Sequence, residues 1–405
     1  MDTNFLTTFE SSSRNEALKK RIIHLFIANG DSTISELCKE IDMSIPTVTK
    51  LLYELQKDGL IIDYGKMDNT SGGRKPSVFG LNPESGYFIG VDVQHNKIII
   101  SGIDFKGNVL KTEEHTFSIL ENSRESLDMI CEIINQFIDS LSLTLNKILA
   151  VGINLSGRVN PASGYSYSIF HFDDRPLSEV LQEKLHVRVY VENDTRAMAY
   201  GEYKKGIAKN EKNIIFINVT WGLGVGIIIN GQLYYGKSGF SGEFGHFPFF
   251  DNEVICHCGK KGCFETEASG SAICRLIKEQ CLAGRNSILC EAVNSGRDLT
   301  VDDIIEAAHK EDTLTIDILE QIGLNLGRGI AGLINIFNPE LVVIGGPLSQ
   351  TGDYLRLPIK SNVKKYSLNL VNEDSEIKIS SLGETAGAIG TCLLSRGKLL
   401  GTIQI

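Results

Sequence analysis

No stretch of the 405-residue chain is apolar and long enough to span a bilayer, which excludes a membrane helix. The opening MDTNFLTTFESSSRNE lacks a basic start followed by an apolar block, so it does not read as an export signal. A cytoplasmic protein with reduced thiols is therefore expected. The nine cysteines are odd in number and unevenly spaced, which argues against a disulfide framework. Low-complexity segments are also missing. A large excess of basic charge is absent too: 40 basic against 50 acidic residues give a formal net charge of −10. That balance excludes a uniformly basic surface but not a local one. Residues 1–80 carry 10 basic and 11 acidic side chains, so this part is nearly neutral and can present a basic face. With 42% hydrophobic and 22% charged residues, the composition is that of an ordinary globular chain long enough for two or three domains.

Three helical patterns fill the early part. Leu18, Ile22, Leu25 and Phe26 share one helix face, and Ile34, Leu37, Cys38 and Ile41 repeat that spacing. Thr33 and Glu36 make a capping box before the second helix. Met43-Ser44-Ile45 is a short turn, Ser44 can cap the third helix, and Pro46 is tolerated in its first turn. Val48, Leu51, Leu52 and Leu55 form the buried stripe of that helix, and Gly59 ends it. Two short strands, 60–62 and 77–79, enclose a polar tip ending in Ser71-Gly72-Gly73-Arg74-Lys75-Pro76.

This order spells a winged helix-turn-helix, whose second helix enters the major groove of double-stranded DNA. Off the buried stripe lie Thr47, Thr49, Lys50 and Tyr53. Thr47 and Lys50 are the best candidates for base or phosphate contact. Arg74 and Lys75 sit on the wing, where a narrow minor groove attracts cations. The competing reading is a helical dimerisation module with a solvated charged loop.

From Tyr87 onward strands and helices alternate, which implies an α/β domain with a partly parallel sheet. Strands are expected at 87–93, 97–103, 109–116, 148–154, 214–219, 225–229 and 341–344, and helices over 126–141 and roughly 270–329. The openings near residues 87 and 214 look alike and suggest a duplicated α/β unit.

Cys256-His257-Cys258-Gly259-Lys260-Lys261-Gly262-Cys263 places three cysteines within eight residues, with glycines that allow tight turns. In a reducing compartment this reads as a structural zinc site. His257 is wedged between two ligands, so His246 is the better fourth ligand. The remaining cysteines (38, 131, 274, 281, 290 and 392) mostly lie on apolar faces and read as core thiols. Glu192-Asn193-Asp194 follows the strand 187–191, at the carboxyl end where α/β proteins bind ligands. Asn193 and Asp194 suit vicinal sugar hydroxyls, and Glu243 and Glu265 could complete the cage. Asp194 could instead simply cap the helix that follows.

Together these motifs resemble the ROK family of sugar-responsive repressors and sugar kinases. The resemblance rests on Glu192-Asn193-Asp194, Gly242-Glu243-Phe244-Gly245-His246, the cysteine run with Glu265, and Asn335 to Glu340 followed by Gly345-Gly346. The N-terminal part looks like the branch of N-acetylglucosamine and xylose repressors. The resemblance implies a two-lobed, actin-like (ribonuclease-H-like) α/β fold. It implies sugar contacts from Gly157, Asn193, Asp194, Glu243, His246 and Glu265, and zinc held by His246, Cys256, Cys258 and Cys263. Expected boundaries are 1–82 for the winged helix, 83–195 with 381–405 for a smaller lobe, and 196–380 for a larger lobe carrying the zinc site and oligomerisation helices. In a kinase member Asp194 would be the general base. The family's first phosphate loop, Asp-x-Gly-Gly-Thr-Lys, stands here as Asp92-Val93-Gln94-His95-Asn96-Lys97, without its glycines. In the second loop, Leu223 stands where kinases carry a threonine. The expectation is a regulator that does not use ATP. It would be a homodimer or homotetramer, released from its operator by a sugar or sugar phosphate, with a sugar kinase as the alternative. Arg158 and His171 are candidates to meet a ligand phosphate.

Overall fold

The computed structural model describes residues 13–66, 76–117 and 122–403. Among these, no helix is long and apolar enough to cross a membrane. The chain forms two compact units: 1–154 with 163–191 and 391–405, and 155–162 with 192–390.

The first unit begins with α1 (Arg14–Asn29), β1 (Ser32–Thr33), α2 (Ile34–Ile41), α3 (Ile45–Lys57), β2 (Ile61–Lys66) and β3 (Ser77–Leu81). Both halves of the Thr33/Glu36 capping box are made. Ser44 occupies the N-cap position of α3 but makes no cap bond. Its hydroxyl pairs with that of Thr47 at 2.9 Å instead. Ile22, Ile23, Leu37, Val48, Leu51 and Leu55 form the small core. Lys19 is buried between α1 and α3 and faces Glu16, Glu54 and Asp58 at 3.2–3.4 Å. Burial pulls its pKa down, but the three carboxylates outweigh burial and leave it raised. The β1-β3-β2 sheet is antiparallel, with an irregularity between Asp63 and Lys66 where the wing leaves it.

Along the chain there follow β4 (Tyr87–Val93), β5 (Lys97–Asp104), β6 (Val109–Thr116), α4 (Arg124–Ser140), β7 (Ile148–Leu155), β8 (Val159–Asn160, in the second unit), β9 (Tyr165–Ser166), α5 (Leu177–Leu185) and β10 (Val189–Asn193). The sheet order is β10-β7-β4-β5-β6.

The second unit carries α6 (Asp194–Lys205), β11 (Ile214–Val219), β12 (Leu223–Ile229), β13 (Gln232–Leu233), α7 (Gly270–Leu282), α8 (Cys290–Asn294), α9 (Val301–His309), α10 (Thr313–Phe337), β14 (Leu341–Gly345), α11 (Asp353–Tyr366), α12 (Asn369–Glu373) and β15 (Glu376–Ile379). A final helix, α13 (Ala386–Leu400), ends the chain's regular structure. The sheet order is β13-β12-β11-β14-β15. In each sheet, a three-strand meander is followed by two later strands added beside its first strand. The similar openings at residues 87 and 214 thus belong to the same topology used twice. Strand alternation divides the second core. Ile215, Ile217 and Val219 face a large cluster with Phe264, Ile273, Ile322 and Ile330. Ile214 and Phe216 face Met198 and Ala199 of α6 on the other side.

The expected helical region after Gly270 is present as four helices, separated by loops at 283–289, 295–300 and 310–312. One expectation needs correction: the thiols are not all reduced, since Cys281 and Cys290 form a disulfide. They lie at the end of α7 and the start of α8 with Cα atoms 5.3 Å apart, a spacing that periodicity alone does not reveal.

Candidate functional site

On α3 the residues opposite the buried stripe stand free of the core. The Lys50 side chain is 75% exposed, with Glu54 at 4.0 Å. Tyr53 is 69% exposed. Thr47 is half-buried and shares its hydroxyl with Ser44. Thr49 is exposed, but its hydroxyl donates to the Ile45 carbonyl at 2.8 Å, which leaves chiefly its methyl group to offer. Sequence reasoning missed Ile45, which is 59% exposed in the first turn of the same helix. Its position off the Val48–Leu51 stripe was the available signal, and an apolar contact to a thymine methyl is its natural use. Arg74 and Lys75 lie outside the described residues.

The polar ligand-site candidates all lie in the second unit. Asn193 is the N-cap of α6 and accepts from the Arg196 N–H. Its amide donates to the Gly157 carbonyl at 3.0 Å and to Asp194 at 2.8 Å. Capping thus falls to Asn193 rather than to Asp194. The Asp194 carboxylate accepts from the Thr195 N–H at 2.7 Å and from the Ser156 hydroxyl at 2.9 Å. Burial raises its pKa against those donors. Burial also raises Glu243, opposed by His246, Arg158 and Arg196 and reinforced by Asp194. Glu243 lies 3.8 Å from His246 Nε2, and His246 Nδ1 lies 3.5 Å from the Glu265 carboxylate. Gly157, Asn193 and Asp194 therefore form one hydrogen-bonded group, while Glu243 and Glu265 each lie within ion-pair distance of His246. Arg158 is exposed and close enough to Glu243 to be felt by its charge. His171 hydrogen-bonds Asn122.

Beneath Asn193 lies a pair that sequence reasoning missed. Arg196 and Glu192, both nearly fully buried, bond at 2.8 Å. Arg196 also donates to the carbonyls of Gly239 and Val159, and the Tyr235 hydroxyl donates to Glu192. The i,i+4 Glu-Arg spacing across the strand-to-helix junction was the available signal.

The cysteine loop turns tightly on itself. Cys256 donates its N–H to the Lys260 carbonyl and accepts from Gly259, both at 2.8 Å. Gly262 adopts φ +71°, and a Cβ there would lie 2.2 Å from the Phe250 carbonyl oxygen, so only glycine fits. Cys258 and Cys263 Sγ are 3.6 Å apart, and Cys256 Sγ is 3.6 Å from His246 Nδ1. All four donor atoms lie within 4.8 Å of one another. Tetrahedral coordination at ordinary zinc bond lengths separates such donors by about 3.5–3.8 Å, so the donor set fits that metal. His257 is not in this foursome; it forms a different trio with His246 and Glu265.

The two hairpins that resemble phosphate loops differ. At the β4–β5 turn, Gln94 donates its amide to the buried Asp92 carboxylate at 2.9 Å. At the β11–β12 turn, Leu223 is buried in the core. A Cβ on Gly224 would lie 2.2 Å from Thr195 Oγ1. That glycine is needed for close packing of α6 on the strand, whether or not a phosphate binds there.

A winged helix followed by a doubled sheet unit, with polar residues at strand ends and a Cys/His cluster that could hold a metal ion, defines a winged-helix protein on an actin-like, sugar-kinase-type fold. The chain belongs to the ROK family, whose model matches residues 88–398. A winged helix-turn-helix DNA-binding model matches residues 16–62. The chain is 30% identical to the xylose repressor of Bacillus spizizenii over 92% of its own length and 93% of the relative's. Its structure resembles a crystal structure of a ROK family transcriptional regulator, a homolog of the E. coli MLC protein. That match has a TM-score of 0.79 and 27% identity, covering 94% of this chain and 96% of that one. A ROK family glucokinase from Streptomyces griseus, in complex with glucose and AMPPNP, aligns with a TM-score of 0.68 and 28% identity over 77% of this chain and 99% of that one.

Proposed function

We propose that this chain is a sugar-responsive DNA-binding repressor of carbohydrate-metabolism genes, released from its operator by a sugar or sugar phosphate. The observation that carries this reading is the pairing of the two matched modules in one chain, over nearly the full length of a repressor relative. Lys50, Thr47, Thr49, Tyr53 and Ile45 meet the major groove, and Arg74 and Lys75 of the wing meet the backbone or minor groove. Asn193, Asp194, Glu243, His246 and Glu265, with the Gly157 loop, bind the sugar hydroxyls. Zinc, when bound by His246, Cys256, Cys258 and Cys263, supplies a rigid crosslink of the loop that carries two of those contacts. In a homodimer or homotetramer, two recognition helices match two half-sites. A ligand that favours another spacing releases DNA, and the coupling is reciprocal.

Gln94 supports a role without phosphoryl transfer. It occupies the Asp92 carboxylate and adds bulk where a phosphate loop needs bare backbone. Asp194 then serves as an acceptor for a sugar hydroxyl. The alternative, an ATP-dependent sugar kinase, draws on that same carboxylate at its family position and on the glucokinase alignment.

A thermal-shift screen against free sugars, sugar 6-phosphates and Mg-ATP separates the two readings, since ligands of the folded state raise the melting temperature. A rise with one sugar or sugar phosphate and none with Mg-ATP is expected. A rise with Mg-ATP, together with sugar-dependent ATP consumption, would put the kinase first.

A further inference from the structure

We infer that His257, which is not among the four metal donors, is the positioning residue that holds Glu265 for its ligand. This rests on the sugar-binding role proposed for Glu265. The Glu265 side chain is only 7% exposed, and a buried carboxylate needs hydrogen-bond donors. Among the described residues, three groups approach its Oε1: Cys256 Sγ at 2.9 Å, His257 Nδ1 at 2.9 Å and His246 Nδ1 at 3.5 Å. Two of those three are metal donors. A cysteine that ligates a metal does so as a thiolate and has no proton to give. A histidine nitrogen that ligates has likewise surrendered its lone pair to the metal and carries no hydrogen. The His257 N–H is then the donor that remains. Its ring packs edge-on against His246, with centroids 5.2 Å apart, while the rest of the side chain, 76% exposed, faces solvent.

The other oxygen of Glu265 faces a different way. Oε2 points between two glycines: a Cβ on Gly222 would lie 3.2 Å from it, and one on Gly245 3.3 Å. No hydrogen bond to Oε2 occurs among the described residues. With Oε1 engaged by His257, Oε2 is the oxygen left to accept from a sugar hydroxyl.

The test uses full-length zinc-loaded protein and the variants His257→Ala, His257→Asn, Glu265→Gln and His257→Ala/Glu265→Gln. Asn places an amide donor close to where Nδ1 stands. Zinc content, melting temperature and the dissociation constant for the best sugar of a monosaccharide and sugar-phosphate panel are read for each. All variants are expected to keep one zinc per chain. His257→Ala lowers the melting temperature, and the second substitution in the double variant recovers part of the loss, because it removes the stranded charge. Sugar affinity falls about ten- to hundred-fold in His257→Ala and stays within about threefold of the parent in His257→Asn. Loss of zinc in His257→Ala would make His257 a metal ligand and overturn the inference. So would additive melting shifts, or unchanged sugar affinity in His257→Ala. If the parent protein binds no sugar in the panel, the functional reading and the ligand-facing half of the inference fall together. The melting cycle then still decides the pairing of His257 with Glu265.

Discussion

On α3 the two largest side chains proposed to meet DNA, Lys50 and Tyr53, extend into solvent, with Glu54 4.0 Å from Lys50. At the ligand site the opposite holds. Asn193 and Asp194 are tied to Gly157, Ser156 and Thr195, and Glu265 is enclosed by two histidines and a cysteine. The difference follows from the ligand. A duplex brings its own rigid array of donors, acceptors and phosphates, so exposed side chains can adapt to it. A small sugar offers a few hydroxyls, and binding it well requires acceptors fixed in advance.

This contrast predicts that substitutions at the ligand site disturb the fold and the sugar response, whereas those on α3 disturb only DNA binding. The largest effect is expected from Arg196→Met. Removing the cation strands the buried Glu192 carboxylate and loosens the carbonyls of Gly239 and Val159. Chemical denaturation should show a loss of about 3–5 kcal/mol. Next comes Cys258→Ser. It should abolish metal binding and the sugar response while operator affinity stays within about threefold; a metal-free variant that still responds to sugar would break the link between the two. Lys50→Ala should weaken operator binding about five- to thirty-fold by fluorescence anisotropy and leave the melting temperature unchanged.

A smaller effect concerns pH. The Asp303 carboxylate is held at about 2 by its bonds to Arg297, against burial, with further help from Thr300. A folded pKa below the unfolded one stabilises the protein at neutral pH, and that stabilisation is lost as pH falls from about 4 towards 2. The stability gap between the parent and Asp303→Ala, about 1–2 kcal/mol near pH 7, should close over that window. Smallest of all is Thr49→Val, expected to change operator affinity less than twofold, because it keeps the methyl group and removes only a hydroxyl already committed to Ile45.

Much of this arrangement was legible in the sequence. The capping box, the Val48–Leu55 stripe and the spacing of Cys256, Cys258 and Cys263 are local signals, and the structure forms each of them. Side-chain bonding was less legible. Whether Thr49 reads DNA or its own helix depends on a rotamer, and sequence spacing does not report it. The Glu192–Arg196 pair, the Ser156 bond to Asp194 and the approach of His257 to Glu265 arise where loops distant in sequence converge. The Cys281–Cys290 bridge depends on a turn between two helices whose bounds within the helical region the sequence reading did not fix. The glycines of the β11–β12 hairpin show a further limit. As a motif they suggest phosphate binding, while in the fold Gly224 also serves the contact with Thr195.

The most direct test is operator binding with and without sugar. A duplex selected from a random pool by the full-length protein, labelled and titrated by anisotropy, gives the affinity. A repeat in each sugar and sugar phosphate then gives the coupling. The account predicts one compound that weakens DNA binding by about five- to 150-fold. It also predicts that Mg-ATP has no effect and is not consumed. Failure to select any duplex, or selected DNA that no sugar releases while ATP is consumed in the presence of sugar, would contradict it.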